Sequence, residues 1–395
     1  MTDQDAVRRE ACLRLFRIAA RIDEGTEGAA AGAASGAALD PNAIDWDWLA
    51  AYLTGSGLAR LLLGVLNDPA LTLRTPEAFR TAIAQSGMVD VMRERTLRET
   101  VVRIDSALRA LGGRGVLLKG TALLMRAPLG VVSRATSDVD VLVAADLAGP
   151  LRTYLLAHGF DGAADADPST SHHLAPVSRA GVEIEIHTRI MKTYWGLPEE
   201  RLVASAEPLP PWAGCAALST LAPEGIVLHS LVHLSASFYS FGLRSAWDVL
   251  AVLRGAPDFA WDRLAELVAS CAVPRAFWAP LVALAEAVPL RVPPRLLALA
   301  PRDRASRRIE RLARARLFSA TEGLFELDAL SKTMFVALLH AGWRGRLGFL
   351  REVVVFRASR SATWGDATKR ARRADMLRQF YRQYRQFRAV TRELA

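Results

Sequence analysis

The sequence predicts an α/β chain of the α+β kind, in which a small mixed sheet is flanked by N- and C-terminal helical modules. Three observations predict it. Short β-like runs are confined to the middle of the chain, from about Arg114 to Trp195. On both sides of them apolar residues recur at three-to-four spacing. The 395 residues are 51% hydrophobic and 23% charged, a globular balance, and the length favours more than one module.

Residues 1–110 read as helical. "AIDWDWLAAYL", "GLARLLLGVL" and "VVRIDSALRALGG" carry the helical period, the last ending on two glycines. "DEGTEGAAAGAASGAALDPN", residues 23–42, interrupts them as an Ala/Gly-rich flexible connector. Residues 111–197 form the α/β core. Its predicted strands are "GVLLKG", "DVDVLV", "HHLAPVS" and "VEIEIHTRI", with a turn at "RAG" before the last. "TALLMRA" is a short helix that Thr121 could cap, and "DLAGPLRTYLLAHGF" an amphipathic helix closing at Gly159. Residues 198–395 read as helices separated by Pro and Gly, from "APEGIVLHSLVHLSASF" through "RASRRIERLARARLFS".

Composition narrows the function classes. No apolar run reaches the roughly 18 residues of a membrane span, and "MTDQDAVRRE" lacks the shape of a secretory signal. Three scattered cysteines, Cys12, Cys215 and Cys271, offer neither a disulfide framework nor a zinc knuckle. The expected compartment is the cytoplasm. Charge is uneven: residues 301–395 hold 22 Lys+Arg against 9 Asp+Glu, while the first 300 hold 28 against 32. A basic C-terminal region suits an anionic partner, although arginines spread along helix-like segments serve equally as solvated surface. In "FYRQYRQFR" the spacing of Phe380, Tyr384 and Phe387 fits a packed aromatic stripe as well as a base-stacking one.

The chemistry sits in the middle. In "RATSDVDVLV" Asp138 and Asp140 flank Val139, so a strand sends both carboxylates to one face. In "VEIEIHTRI" Glu183, Glu185 and His187 share one face, and Val182, Ile184 and Ile186 the other. If the two strands are neighbours, three or four carboxylates converge, a set suited to a hard divalent cation such as Mg²⁺ together with substrate phosphates. Gly120 and Thr121 open a helix after an apolar strand, where backbone N–H groups can meet anionic oxygens. His229 and His233 stand four apart on a helix, a zinc-compatible spacing, but "HSLVH" lacks the glutamate of a metalloprotease and a packed role is the simpler reading.

The ordered set "LLKGTALL", Arg134 four residues before Asp138, "SDVDVLV", "SHHLAPV" and "VEIEIHTRI" resembles the DNA-polymerase-β-type nucleotidyltransferase superfamily. More narrowly it is similar to the bacterial family of uncharacterised nucleotidyltransferases, over roughly Ala43 to Leu253. The resemblance implies a polymerase-β-like core and an enzyme moving a nucleoside monophosphate from an NTP such as ATP to an acceptor hydroxyl. It implies that Asp138 and Asp140 bind two Mg²⁺ ions (Mn²⁺ substituting), with Glu185 completing the site as ligand or base. Gly120 and Thr121 would cradle the β- and γ-phosphates, and Lys119 or Arg134 would neutralise the departing pyrophosphate. Glu183, His187 and His172 would stand behind the ligands and tune them, Glu183 remaining an alternative third acid. Arg134 could instead pair with an aspartate to hold a loop, and Asp248 could help the helical block grip the core. The acceptor stays open among a small molecule, a peptide or protein side chain, and RNA. Two rival readings use the same fold: a toxin-like enzyme modifying tRNA or protein, and a non-catalytic nucleotide-binding or scaffold protein.

Overall fold

Alternating aliphatic and polar residues build the central sheet of the computed structural model. The structure describes residues 7, 8, 10–13 and 44–350, apart from 67–74, 128–133, 163–171, 241, 289, 291 and 318–328. The Ala/Gly-rich connector at 23–42 and the "FYRQYRQFR" segment lie outside the described residues.

Before the sheet come α1 (Trp46–Gly55), α2 (Ala59–Leu66) and the long α3 (Glu77–Ala110). Asp45 caps α1, its carboxylate accepting the N–H of Trp48 at 3.1 Å. After α3, Gly112 takes a positive φ of 65°, as the paired glycines predict. The core elements follow: β1 (Gly115–Leu117), α4 (Lys119–Arg126), β2 (Asp138–Val143), α5 (Ala145–Ala157), β3 (Asp161–Gly162), β4 (Val177–Arg179) and β5 (Val182–His187). Ala180 and Gly181, at φ 49° and 75°, form the two-residue connection of the β4–β5 hairpin, which requires positive φ at both.

The sheet is mixed and has seven strands in the order β3-β4-β5-β2-β1-β7-β6. Two strands lie beyond residue 197: β6 (Glu207–Pro208) and β7 (Leu218–Thr220), separated from β5 by α6 (Glu199–Ala204). β7 pairs parallel with β1, so the sheet draws on more chain than the middle segment. Strands of two and three residues are too short to show a period in sequence. "HHLAPVS" also forms less strand than its composition predicts. Only β4 is regular there, and His173 makes an isolated antiparallel bridge to His187.

The two sheet faces do different work. Leu117, Val139, Val141, Val143, Ile184 and Ile186 pack on Leu97, Val101, Ile104 and Leu108 of α3 and on Leu151 and Leu155 of α5. The opposite face carries the acids toward a helical block. That block comprises α7 (Pro223–Ala236), α8 (Gly242–Gly255), α9 (Trp261–Ala269), α10 (Pro274–Ala287), α11 (Pro294–Leu297), α12 (Arg304–Arg316) and α13 (Ala329–Leu339). Its core includes Leu228, Leu231, Trp247, Leu250, Phe277 and Phe335, all buried. Some of the basic excess is consumed inside it, since Arg314 holds Glu286 at 2.6 and 2.8 Å. Among the described residues, no helix is long and apolar enough to cross a membrane.

Candidate active site

Parallel pairing of β2 with β5 sets Asp138 opposite Glu183, Asp140 opposite Glu185, and Leu142 opposite His187. Because side chains alternate, all four carboxylates and the imidazole emerge on the face away from α3. Asp140, Glu185 and His187 each offer a ligand atom within 4.8 Å of the others. Asp138 is half-buried beside them, with only long contacts of 3.4 Å from the hydroxyls of Thr136 and Ser137. Glu183 is exposed one pair further along, whereas Glu185 is half-buried, so Glu185 lies closer to the cluster's centre.

A lysine sits among these acids. Lys119 Nζ donates to Asp140 Oδ1 at 2.6 Å and stands 3.6 Å from Glu185 Oε2. Its backbone has φ 49°, in the left-handed region that costs a non-glycine residue about 1–2 kcal/mol. Burial opposes the Lys119 charge, but the Asp140 carboxylate outweighs it and raises the ammonium's pKa. His187 is fully buried, its Nε2 lying 2.8 Å from Asp140 Oδ1 and 3.2 Å from Glu185 Oε2. Burial again opposes its charge, and the two carboxylate hydrogen bonds still raise its pKa. The same hydrogen bond from His187, against the cost of burial, holds Glu185 well below the usual carboxylate range. Glu185 is thereby held ionised. His187 Nδ1 is buried without a hydrogen-bond partner.

The Lys119–Gly120–Thr121 turn is fixed to β2. Leu118 N–H donates to Asp140 O at 2.9 Å, and Thr121 Oγ1 donates to Asp138 O at 2.7 Å. Thr121 therefore does not cap α4, whose N-cap position is Leu118; its hydroxyl finds a better partner in the strand alongside. Gly120 is sterically required. A Cβ there would lie 2.5 Å from Thr136 Oγ1 and 2.6 Å from Arg134 Nη2. Arg134, 4% exposed, makes a two-pronged ion pair with Asp248 of α8, Nε to Oδ1 and Nη2 to Oδ2, and its Nη1 donates to Ala135 O at 2.8 Å. The helical block is thereby pinned to the approach of β2.

Two further features line the same cleft of about 660 Å³, which also contains Lys119, Gly120, Asp138 and Asp140. The first is histidine-rich. His172 stacks edge-on to His187 at 5.3 Å, and His229 and His233 of α7 lie 5.9 Å apart. Burial drives His172 and His233 down to about 3 and His229 well below its ordinary value. Among the described residues no third metal-ligating side chain joins His229 and His233, so their zinc-compatible spacing is met by packing. The second is Arg244 of α8, the arginine of the Arg…Trp-Asp helix in the family resemblance. It stands one turn before Asp248 on the same helix face. The cysteines stay outside the site, and burial pushes the Cys12 and Cys271 thiols up to about 12.

Residues 42–288 match the family model described as "Uncharacterised nucleotidyltransferase". The chain belongs to this family. Membership supports nucleotidyl transfer as the general chemistry and an NTP as a substrate. None of the curated proteins compared matches the chain. Among solved structures, it is similar to the solution structure of the antibiotic-resistance factor ANT(2'')-Ia, with 13% identity and a TM-score of 0.33. That match covers 49% of this chain and 97% of the other.

Proposed function

We propose that the protein transfers a nucleoside monophosphate from an NTP to an acceptor hydroxyl, at a site built from Asp138, Asp140 and Glu185. The observation that carries this reading is the β2–β5 register, which sets Asp140 opposite Glu185 beside the Gly120 turn.

The donor set fits divalent magnesium. Three carboxylates offer hard oxygen ligands, two of them with His187 inside a 4.8 Å cluster, and Glu185 is held ionised. Asp138 and Asp140 would hold two ions, with Glu185 completing the coordination near the acceptor. When bound, such ions supply Lewis-acid stabilisation of the attacking and leaving oxygens in an in-line displacement. The chain's own groups do the rest. The N–H groups at the start of α4 meet phosphate oxygens, with the helix dipole favouring negative charge there. Glu185 would act there either as ligand or as the base that takes the acceptor's hydroxyl proton. His187 orients Asp140 and Glu185 together, its Nε2 shared between them. Lys119 holds the two carboxylates in one place by neutralising them, at 2.6 and 3.6 Å.

The test is incubation of the protein with each α-labelled NTP, Mg²⁺ and a cell extract, following label into a covalent product. Label is expected with Mg²⁺, absent with chelator, and reduced by about 10²–10³ or more in Asp140→Asn, the range seen when one electrostatic contact to the reacting centre is lost. No label from any of the four nucleotides would reject the reading.

A further inference from the structure

Lys119, Arg134 and Arg244 are among the cations lining the cleft, and the first two are already committed. Lys119 is bound to Asp140 and faces Glu185. Arg134 is buried, gives two donors to Asp248 and a third to Ala135 O, and presses on Gly120. Arg244 differs. It is half-buried in the wall of the same cleft, and among the described residues it makes no hydrogen bond or ion pair. Its one carboxylate neighbour on α8, Asp248, already spends both oxygens on Arg134. A guanidinium held partly out of water with no carboxylate in direct contact is poorly compensated until an anion arrives.

From this we propose that Arg244 grips the β- and γ-phosphates of the incoming nucleoside triphosphate, an inference that rests on the nucleotidyl-transfer reading above. Position selects the phosphates over the acceptor. Arg244 stands one helical turn before Asp248, whose carboxylate holds the Arg134 guanidinium against Gly120. Arg244 is thus on the glycine-turn side of the cluster, whereas Glu185, His187 and His172 occupy the side of β5. Repulsion from Arg134, then burial, brings its pKa down to about 10, against the pull of Asp248, Asp138 and Asp140. It stays protonated at neutral pH and is poorly compensated. A polyphosphate accepts a planar fork in the two-pronged manner that Arg favours.

Binding of each ribonucleoside tri-, di- and monophosphate is measured calorimetrically in Mg²⁺ for the full-length wild type, Arg244→Gln and Arg244→Lys, with melting curves for each. Arg244→Gln is expected to lose roughly tenfold to a hundredfold in triphosphate affinity, the worth of a charge-assisted hydrogen bond, while monophosphate affinity holds. Arg244→Lys should fall between. Without ligand, Arg244→Gln should melt at or above the wild-type temperature, because an unpaired cation has gone, and Mg²⁺ with triphosphate should stabilise it less. Inorganic tripolyphosphate should compete with the triphosphate on wild type, which tests the phosphate site even if Arg244→Gln fails to fold. Equal loss for mono- and triphosphate, unchanged triphosphate binding in Arg244→Gln, or no competition by tripolyphosphate would overturn the assignment of Arg244 alone. A wild type that binds no nucleotide at all would remove the nucleotidyl-transfer reading with it.

Discussion

Asp140 shows how little freedom one residue has at this site. Its Oδ1 receives Lys119 and His187 together, its backbone oxygen receives Leu118, and its strand partner is Glu185. A carboxylate 1% exposed is tolerable only because Lys119 and His187 both reach it. Gly120 is constrained by volume instead. Gly120→Ala would push a methyl group against Arg134 and Thr136, and Arg134 cannot retreat while Asp248 holds it. The expected loss is about 1–3 kcal/mol in denaturant unfolding. An unchanged midpoint would mean that Arg134 is free to move. The parity of Asp138, Asp140 and Glu185 was legible in the sequence because strand alternation is a local property. Lys119 among the acids was not, since its aim depends on a left-handed backbone that side-chain pattern does not reveal.

At the scale of elements, the joint between sheet and helical block is the Arg134–Asp248 pair, side-chain exposures 4% and 11%. Asp248→Asn leaves a buried guanidinium without its counter-charge and should cost about 3–5 kcal/mol. Replacing both partners by apolar residues should recover much of that. A double-mutant cycle with coupling near zero would show that the two elements are joined elsewhere. Both roles open to Arg134 in the sequence used the same residue, and its partner lies 114 positions away. No window on the sequence joins them. The helices themselves were legible, as in α12, where "RASRRIERLARAR" shows its period and Asp303 caps it at 2.8 and 3.0 Å.

For the molecule as a whole, buried histidines govern acid stability. His229 is 2% exposed and its pKa is pushed down by burial and then by His233, so it is neutral when folded. The unfolded chain binds its proton at about 6.5. Stability from His229 is therefore complete above about pH 6.5 and falls as pH drops, by up to about 1.4 kcal/mol per pH unit. His187 works in the opposite sense, its raised pKa adding stability that is lost as pH rises. The measurement is the difference in unfolding free energy between wild type and His229→Asn from pH 7.5 to 4.5. It should narrow toward acid, and a constant difference would mean that His229 titrates alike in the folded and unfolded chain.

The sequence alone determined which residues share a face and where the longer helices and strands run, because periods of 2 and 3.6 are set by backbone geometry within a few residues. It also carried the ordered motifs by which the family is recognised. The tertiary structure decided the rest. It placed β2 parallel beside β5, added β6 and β7 to the sheet, tied Arg134 to Asp248, and left Arg244 facing the cleft. Those outcomes depend on strand order and on how helices dock, and the energies that fix them are contacts between segments far apart in the chain.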